Sequence, residues 1–311
     1  MLHEKGHHCG STALRDALRL KGLLLTEAQV FGLGSGLGFA LYDGDVQLTP
    51  PQPGRFFVGR SAGFERDLCT TLGAELEEEQ FASADEAWPR IEALANAGEF
   101  PLVYTDIFHL PYVGARGHWY AHLVGVAGVR DGVAQLADNG YAELQPCAIE
   151  DLQRALGTGL PVRVDGSVSV LHLSTAGAVT ERATRDAIVR NAYAMTEDAA
   201  PGTGVLGLHA LPDELRAWED RTDRERCLRM GGQVVEVRGT GGGLFRKLYA
   251  QFLEEAGFPE LASLARVSAS RFTTLALALE AARTTGRTAE AAEAAEGCAQ
   301  AEDALWARAL E

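Results

Sequence analysis

The sequence predicts an α+β first half followed by a mainly helical second half. Three observations predict it. Helical apolar spacing opens the chain at Ala13, Leu14, Ala17 and Leu18. Between Pro101 and Leu173, short apolar runs alternate with turn dipeptides, the mark of an antiparallel sheet. From about residue 176, alanine, glutamate and arginine take over and strand patterning fades. Two domains, 1–175 and 176–311, are expected from that shift.

The first helix grows out of Gly6-His7-His8-Cys9-Gly10-Ser11-Thr12 and stops at Gly22, with Ser11 and Thr12 expected to cap its first amides. A short helix follows near 26–30. The stretch 31–39 holds four glycines in nine residues, which forbids a regular helix, lets the backbone approach something closely, and predicts a loop that lines a narrow cleft or packs under the first helix. It lacks a Gly-Lys-Ser/Thr ending, so a phosphate loop is not supported. Residues 55–80 contain a helix with Phe64, Leu68, Thr71 and Leu72 on one face. Ser83 or Asp85 caps the next helix, which ends at Gly98. Strands follow at 101–106, 122–129 and 133–138, the last two joined by Asp131-Gly132, a pair favoured in type I′ turns. Further strand material is expected at 162–164 and 168–173. In the second half, helices are expected at 180–197, 204–219, 243–256, 259–283 and 287–310. Residues 233–238 read as non-helical, and the glycine-rich turn 239–243 leads to Arg246 and Lys247. These two cations tip a turn that either permits tight entry into the next helix or meets a phosphorylated ligand.

Composition excludes several function classes. The chain has 28 basic and 43 acidic residues, a net charge of −15, which argues against a nucleic-acid surface. No apolar run is long enough to span a membrane. The five cysteines (Cys9, Cys69, Cys147, Cys227 and Cys298) form no CxxC pair. An odd cysteine count and a polar N-terminus predict a soluble protein with reduced thiols in a cytoplasm.

Cys9 sits where a loop becomes a helix, so the helix dipole favours its thiolate. Alone it is equally a small buried hydrophobe. A nucleophilic cysteine needs a base and a group to orient that base. His122 opens one strand and Asp138 ends its hairpin partner, so the hairpin brings the two together, with Asp138 on one imidazole nitrogen and the thiol at the other. His118 and His122 have H-x-x-x-H spacing, but Trp119-Tyr120 and the β-branched run after them disfavour a helix, so neither a metal site nor a cofactor is expected. His8, Gly34, Ser35, Asp106, His109, Tyr112, His118 and Trp119 are candidates to line the substrate cleft, with Phe108 and Tyr120 adding aromatic cover.

The phrases HHCGSTAL, FGLGSGLGF, DIFHLPY and HWYAHLVGV, followed by Asp138, resemble the N-terminal domain of the butirosin biosynthesis protein H family. GTGGGLFRKLYAQFLEEA is similar to the helical domain that commonly follows it. The resemblance implies a papain-like fold and transfer of an acyl group from an acyl-carrier-protein thioester to a small-molecule amine, forming an amide in antibiotic-like biosynthesis. It implies Cys9 as nucleophile, His122 as base and Asp138 as orienter. One departure is clear: papain-like peptidases place an oxyanion-binding glutamine shortly before the cysteine, and here that stretch is HEKGHH. The Cys9 amide is left to serve, with a second donor from His7, His8 or the Gly34-Ser35-Gly36 loop. Two other readings stay open: a papain-like hydrolase of a peptide, amide or thioester, and a non-catalytic binding module. The oligomeric state is also open, a homo-oligomer included.

Overall fold

A computed structural model describes residues 3–44, 51–120, 122–156 and 167–311. The expected strand at 162–164 lies outside them. The chain divides into two compact units, each built from separate stretches of sequence: residues 1–27, 47–51 and 72–178 in one, and 28–46, 52–71 and 179–311 in the other.

The first unit opens with α1 (Cys9–Leu20), as the apolar spacing predicts. The chain's second helix, α2 (Glu27–Leu33), starts at the end of this stretch, with Glu27. The unit's centre is a six-stranded antiparallel sheet. Its strands are β3 (Glu75–Phe81), β4 (Leu102–Thr105), β5 (His122–Arg130), β6 (Val133–Ala137), β7 (Gln145–Ala148) and β8 (Val168–Thr175), in the order β3-β8-β4-β5-β6-β7. The β5–β6 turn is as expected: Asp131 and Gly132 both take positive φ, 51° and 79°, which the strand twist requires of a two-residue hairpin.

Helix α4 (Ala84–Asn96) begins where the sequence places it, with Ser83 Oγ accepting from the Glu86 amide at 3.2 Å. With α5 (Ile149–Leu156), α4 covers a sheet face made by Val103, Val124, Val126, Leu136 and Val170. Helix α1 packs on β5, whose residues Leu123, Val124, Gly125 and Val126 are all buried. Strand β3 was not expected. Its sequence, ELEEEQF, carries almost no apolar alternation because it is a charged edge strand, a composition that also deters edge-to-edge association.

The second unit holds β1 (Leu37–Asp43), β2 (Arg55–Arg60), α3 (Phe64–Leu72) up to Thr71, and the helices α6 (Glu181–Met195), α7 (Gly204–Ala217), α8 (Arg224–Glu236), α9 (Arg246–Glu255), α10 (Pro259–Thr285) and α11 (Ala289–Leu310). Two sequence expectations are corrected here. The glycine-rich stretch 31–39 is not a loop but the end of α2, a turn and the start of β1. A Cβ on Gly32 would lie 2.0 Å from the Phe252 ring and one on Gly34 2.5 Å from the Phe64 ring. These glycines therefore admit close packing. Residues 233–236, expected to be non-helical, complete α8, where Val234 and Val235 are buried. Gly231 and Gly232 lie inside this helix despite their low helix propensity, and a side chain at Gly231 would press on Leu279 at 3.2 Å.

Arg246 is fully buried among these helices. It donates to Glu302 through Nε and Nη2 at 3.1 and 3.0 Å and lies over the Phe272 ring. Glu302 also accepts from Trp306 Nε1 at 2.9 Å and from the Ser268 hydroxyl. Of the two readings of this turn, tight entry into α9 is the one that holds: a Cβ on Gly243 would lie 2.8 Å from the Ala269 backbone, and Arg246 is buried rather than offered to a phosphorylated ligand. Among the described residues, no helix is long and apolar enough to cross a membrane.

Candidate functional site

The N-cap of α1 is His8. Its Nδ1 accepts from the Ser11 amide at 3.1 Å, and the first α1 residue is Cys9. Ser11 and Thr12 were the expected caps; their hydroxyls instead donate to Glu27 Oε1 at 3.1 and 3.2 Å. The same carboxylate accepts the backbone amides of His7 at 2.8 Å and His8 at 2.7 Å. Glu27 therefore holds the loop and first turn that present the thiol, and it commits the His7 and His8 amides. Gly6 is required beside it, because a Cβ there would come within 2.0 Å of Thr12 Oγ1. Glu27→Ala would leave the His7 and His8 amides and the Thr12 hydroxyl without this acceptor in a nearly dry place, while the Ser11 hydroxyl keeps the His8 carbonyl at 3.2 Å. We expect a loss of about 3 kcal/mol or more of stability, read by thermal denaturation, with faster amide exchange over residues 6–12.

Of the five cysteines, Cys9 alone is partly exposed; the other four are buried. Burial holds the thiols of Cys69 and Cys147 up, at about 12 and 11, which keeps them protonated and inert. The Cys9 thiol is hydrogen-bonded to the His122 imidazole. Asp138 Oδ2 lies 2.8 Å from His122 Nε2, which leaves Nδ1 for the thiol. Asp138 is itself fixed: Tyr112 Oη donates to Oδ2 at 2.8 Å and the Gly140 amide to Oδ1 at 3.0 Å. The Tyr141 hydroxyl in turn donates to the Tyr112 carbonyl at 2.9 Å. The strand register explains the meeting. Gly125 pairs with Ala137, so the chain ends entering β5 and leaving β6 lie side by side.

The N-terminal arm ties α1 to this loop. The Gly6 amide donates to the Asn139 carbonyl at 2.9 Å. His3 Nδ1 meets Asp16 Oδ2 at 2.5 Å, while its Nε2 lies 3.2 and 3.1 Å from the carbonyl oxygens of Asp138 and Tyr141. Both ring nitrogens face acceptors, so the geometry favours the imidazolium. Burial alone lowers the His3 pKa, but Asp16 and the two carbonyls more than offset this and the net direction is up.

For His122, burial likewise pulls the pKa down, yet the Asp138 charge and hydrogen bond, with Cys9, raise it from 6.5 to about 10. Burial pushes Asp138 up, but His122 and the Gly140 and Tyr112 donors hold it below its ordinary value. Because folding raises His122, the pair's stabilisation is complete below about pH 6.5 and lost as pH climbs toward 10. Asp138, held low, keeps its charge until well into acid. Asp138→Asn is therefore expected to cost about 3 kcal/mol near pH 6. That difference from wild type should shrink as pH rises, by at most about 1.4 kcal/mol per pH unit. Urea unfolding of both proteins at pH 6, 8 and 9.5 checks it; a difference independent of pH would refute the ion pair.

Asp106, His109, His118 and Trp119 come together at the end of β4. Asp106 is fully buried; its Oδ1 accepts the Phe108 and Trp119 amides at 3.0 and 3.1 Å, and its Oδ2 meets His118 Nδ1 at 2.6 Å. Gly34 and Ser35 belong to the second unit. There Ser35 Oγ donates to the Ala187 carbonyl at 3.0 Å and accepts from Arg190 Nε at 3.1 Å. Glu27 was not singled out in the sequence. A lone glutamate at a helix start carries no spacing signal, and only its later position opposite His7 and His8 makes it visible.

A family model described as butirosin biosynthesis protein H, N-terminal, matches residues 8–139. A second, described as a domain of unknown function (DUF4872), matches residues 150–309. Among curated proteins, none matches the chain. The two matched stretches follow one another in the order that HHCGSTAL and GTGGGLFRKLYAQFLEEA suggest, and the chain belongs to the butirosin biosynthesis protein H family.

Proposed function

We propose that the chain is a cysteine-dependent N-acyltransferase of specialised-metabolite biosynthesis, moving an acyl group from a carrier-protein thioester through acyl-Cys9 to an amine. The observation that carries this reading is the His122 imidazole held between the Cys9 thiol and the Asp138 carboxylate. A nucleophile at a helix start, followed by a histidine opening a strand of an antiparallel sheet and an aspartate on the next, is the order of papain-like hydrolases. We therefore assign the sheet unit, residues 1–27, 47–51 and 72–178, to that fold, and read the unit of 28–46, 52–71 and 179–311 as its helical companion, an interleaved division in place of the contiguous halves 1–175 and 176–311.

In this mechanism the Cys9 thiolate attacks the thioester carbonyl, the carbon–sulfur bond to the carrier breaks, and the imidazolium of His122 protonates the departing thiolate. The exchange of one thioester for another is close to neutral in energy. The amine then attacks acyl-Cys9, His122 accepts its proton and returns it to the Cys9 sulfur, and an amide leaves. Asp138 keeps the ring oriented and its charge favourable throughout. With the His7 and His8 amides held by Glu27, the oxyanion falls to the Cys9 amide at the positive end of α1. Phe108, Tyr112, Trp119 and Tyr120, with His8 and the Asp106–His109–His118 group, form the cleft that favours amine over water in this reading.

Intact-mass spectrometry tests it. Incubation with an acyl-loaded carrier protein should add the acyl mass to Cys9, and added amine should discharge it as an amide. Discharge by water with no amide formed would make the enzyme a hydrolase. No adduct with any loaded carrier would leave a binding module.

A further inference from the structure

We propose that Asp106, His109 and His118 form a site for one divalent transition-metal ion, zinc in the first instance. The inference does not rest on acyl transfer and concerns side chains the proposed mechanism uses only as cleft lining.

Topology brings the three together. Strand β4 ends at Thr105, which pairs with His122, and Asp106 follows at once. The 3-10 turn Ile107–His109 then carries His109 back over Asp106, and His118 stands on the segment entering β5. One donor atom from each of the three lies within 4.8 Å of the others. His109 Nε2 is 4.0 Å and His118 Nδ1 2.6 Å from Asp106 Oδ2.

The surroundings are those of a ligand set. A metal-binding carboxylate is normally held by outer hydrogen bonds, and Asp106 Oδ1 is occupied by the Phe108 and Trp119 amides. That aims Oδ2 at the two imidazoles. The rings are braced by aromatic neighbours: Phe108 stands edge-on to His109 at 5.3 Å and lies 4.3 Å from His118, on which Tyr120 is also stacked at 5.4 Å.

The distances fit after small torsions. Around tetrahedral zinc, with nitrogen and oxygen at about 2.0–2.2 Å, ligand atoms lie about 3.3 Å apart. The 2.6 Å contact must open and the 4.0 Å contact close, each by about 0.7 Å. Two imidazoles and one carboxylate suit zinc rather than magnesium or calcium, which demand more oxygen donors. The His109 and His118 side chains are 29% and 12% exposed, so a fourth position stays within reach of solvent.

A plain hydrogen-bonded clamp would need only Asp106 and His118. A metal site needs His109 as well, and that residue separates the two. An ion here would cross-link the turn after β4 to the segment that delivers His122.

Calorimetric titration of the EDTA-treated full-length protein with zinc chloride decides. One zinc per chain is expected in wild type and in Cys9→Ser. In His109→Ala and Asp106→Asn, affinity should fall by more than the roughly 10–100-fold that loss of an outer-shell partner costs. Cobalt(II) in the same site should show visible d–d bands without thiolate charge transfer. The proposal is overturned by the absence of stoichiometric binding, by zinc that Cys9→Ser abolishes, or by zinc that His109→Ala leaves unchanged. Circular dichroism accompanies each variant; should Asp106→Asn fail to fold, His109→Ala, at a partly exposed position, decides alone.

Discussion

Cys9→Ala is expected to abolish the acyl adduct and to lower amide formation by about 10⁴-fold or more, the scale at which nucleophile removal acts in triad enzymes. The side chain is small and half-buried, so its loss should leave thermal stability near that of wild type. His122→Ala should do comparable damage. The Cys9→Ala/His122→Ala double variant should be hardly worse than either single one, because residues that act as a unit are strongly non-additive. Rates of amide formation from a loaded carrier, with intact-mass readout, measure all three. A Cys9→Ala variant that still forms amide at the wild-type rate would remove the proposed chemistry from this site.

The second large effect concerns stability. Glu302→Ala is expected to cost about 3–5 kcal/mol, because it strands a guanidinium with no exposed surface. The Trp306 and Ser268 donors lose their acceptor at the same time. Replacing both charges, Arg246→Met with Glu302→Leu, should be less damaging than the single change, since no buried charge is left uncompensated. Arg246 Nη1 also donates to the Gly38 and Leu244 carbonyls at 3.2 and 2.8 Å, so the double variant should not fully regain wild-type stability. Thermal denaturation of both variants against wild type measures it. Equal losses in single and double variants would mean that the pair contributes through packing alone.

What the sequence disclosed follows from where local rules decide. Cys9 could be placed at a helix start because α1 keeps a clear apolar stripe, and the β5–β6 hairpin because Asp131-Gly132 takes the positive φ values such a turn demands. Helix α4 was legible from Ser83. The rest failed where tertiary contacts override local signals. Strand β3 looks like a charged surface run and is one, at a sheet edge. Gly32 and Gly34 announced a close approach, but not that α2 runs through Gly32 or that the rings of Phe252 and Phe64 are what fill the space a side chain would need. Around Arg246 the tight turn was legible, but its burial against Glu302 was not, because that partner lies 56 residues away in α11. In the site, the hairpin announced His122 and Asp138, whereas Tyr112 was read as cleft lining although its hydroxyl braces Asp138. The Asp106, His109 and His118 group has no helical spacing and becomes a group only through the β4–β5 register.

The interleaved chain path has a consequence for how such proteins can be recombined. Residues 28–46 and 52–71 belong to the helical unit, while residues 72–178 return to the sheet unit. In the helical unit, β1 packs on α6 and α7, and β2 on α8. A single crossover near residue 176 would therefore leave the donor's β1–β2 ribbon to meet foreign helices. Phe39 and Phe57, stacked at 5.6 Å in that ribbon, would need matching partners from the other parent. Inheritance of this architecture thus favours the whole gene over its halves, and a chimera that folds must exchange at least the ribbon together with the helices that cover it.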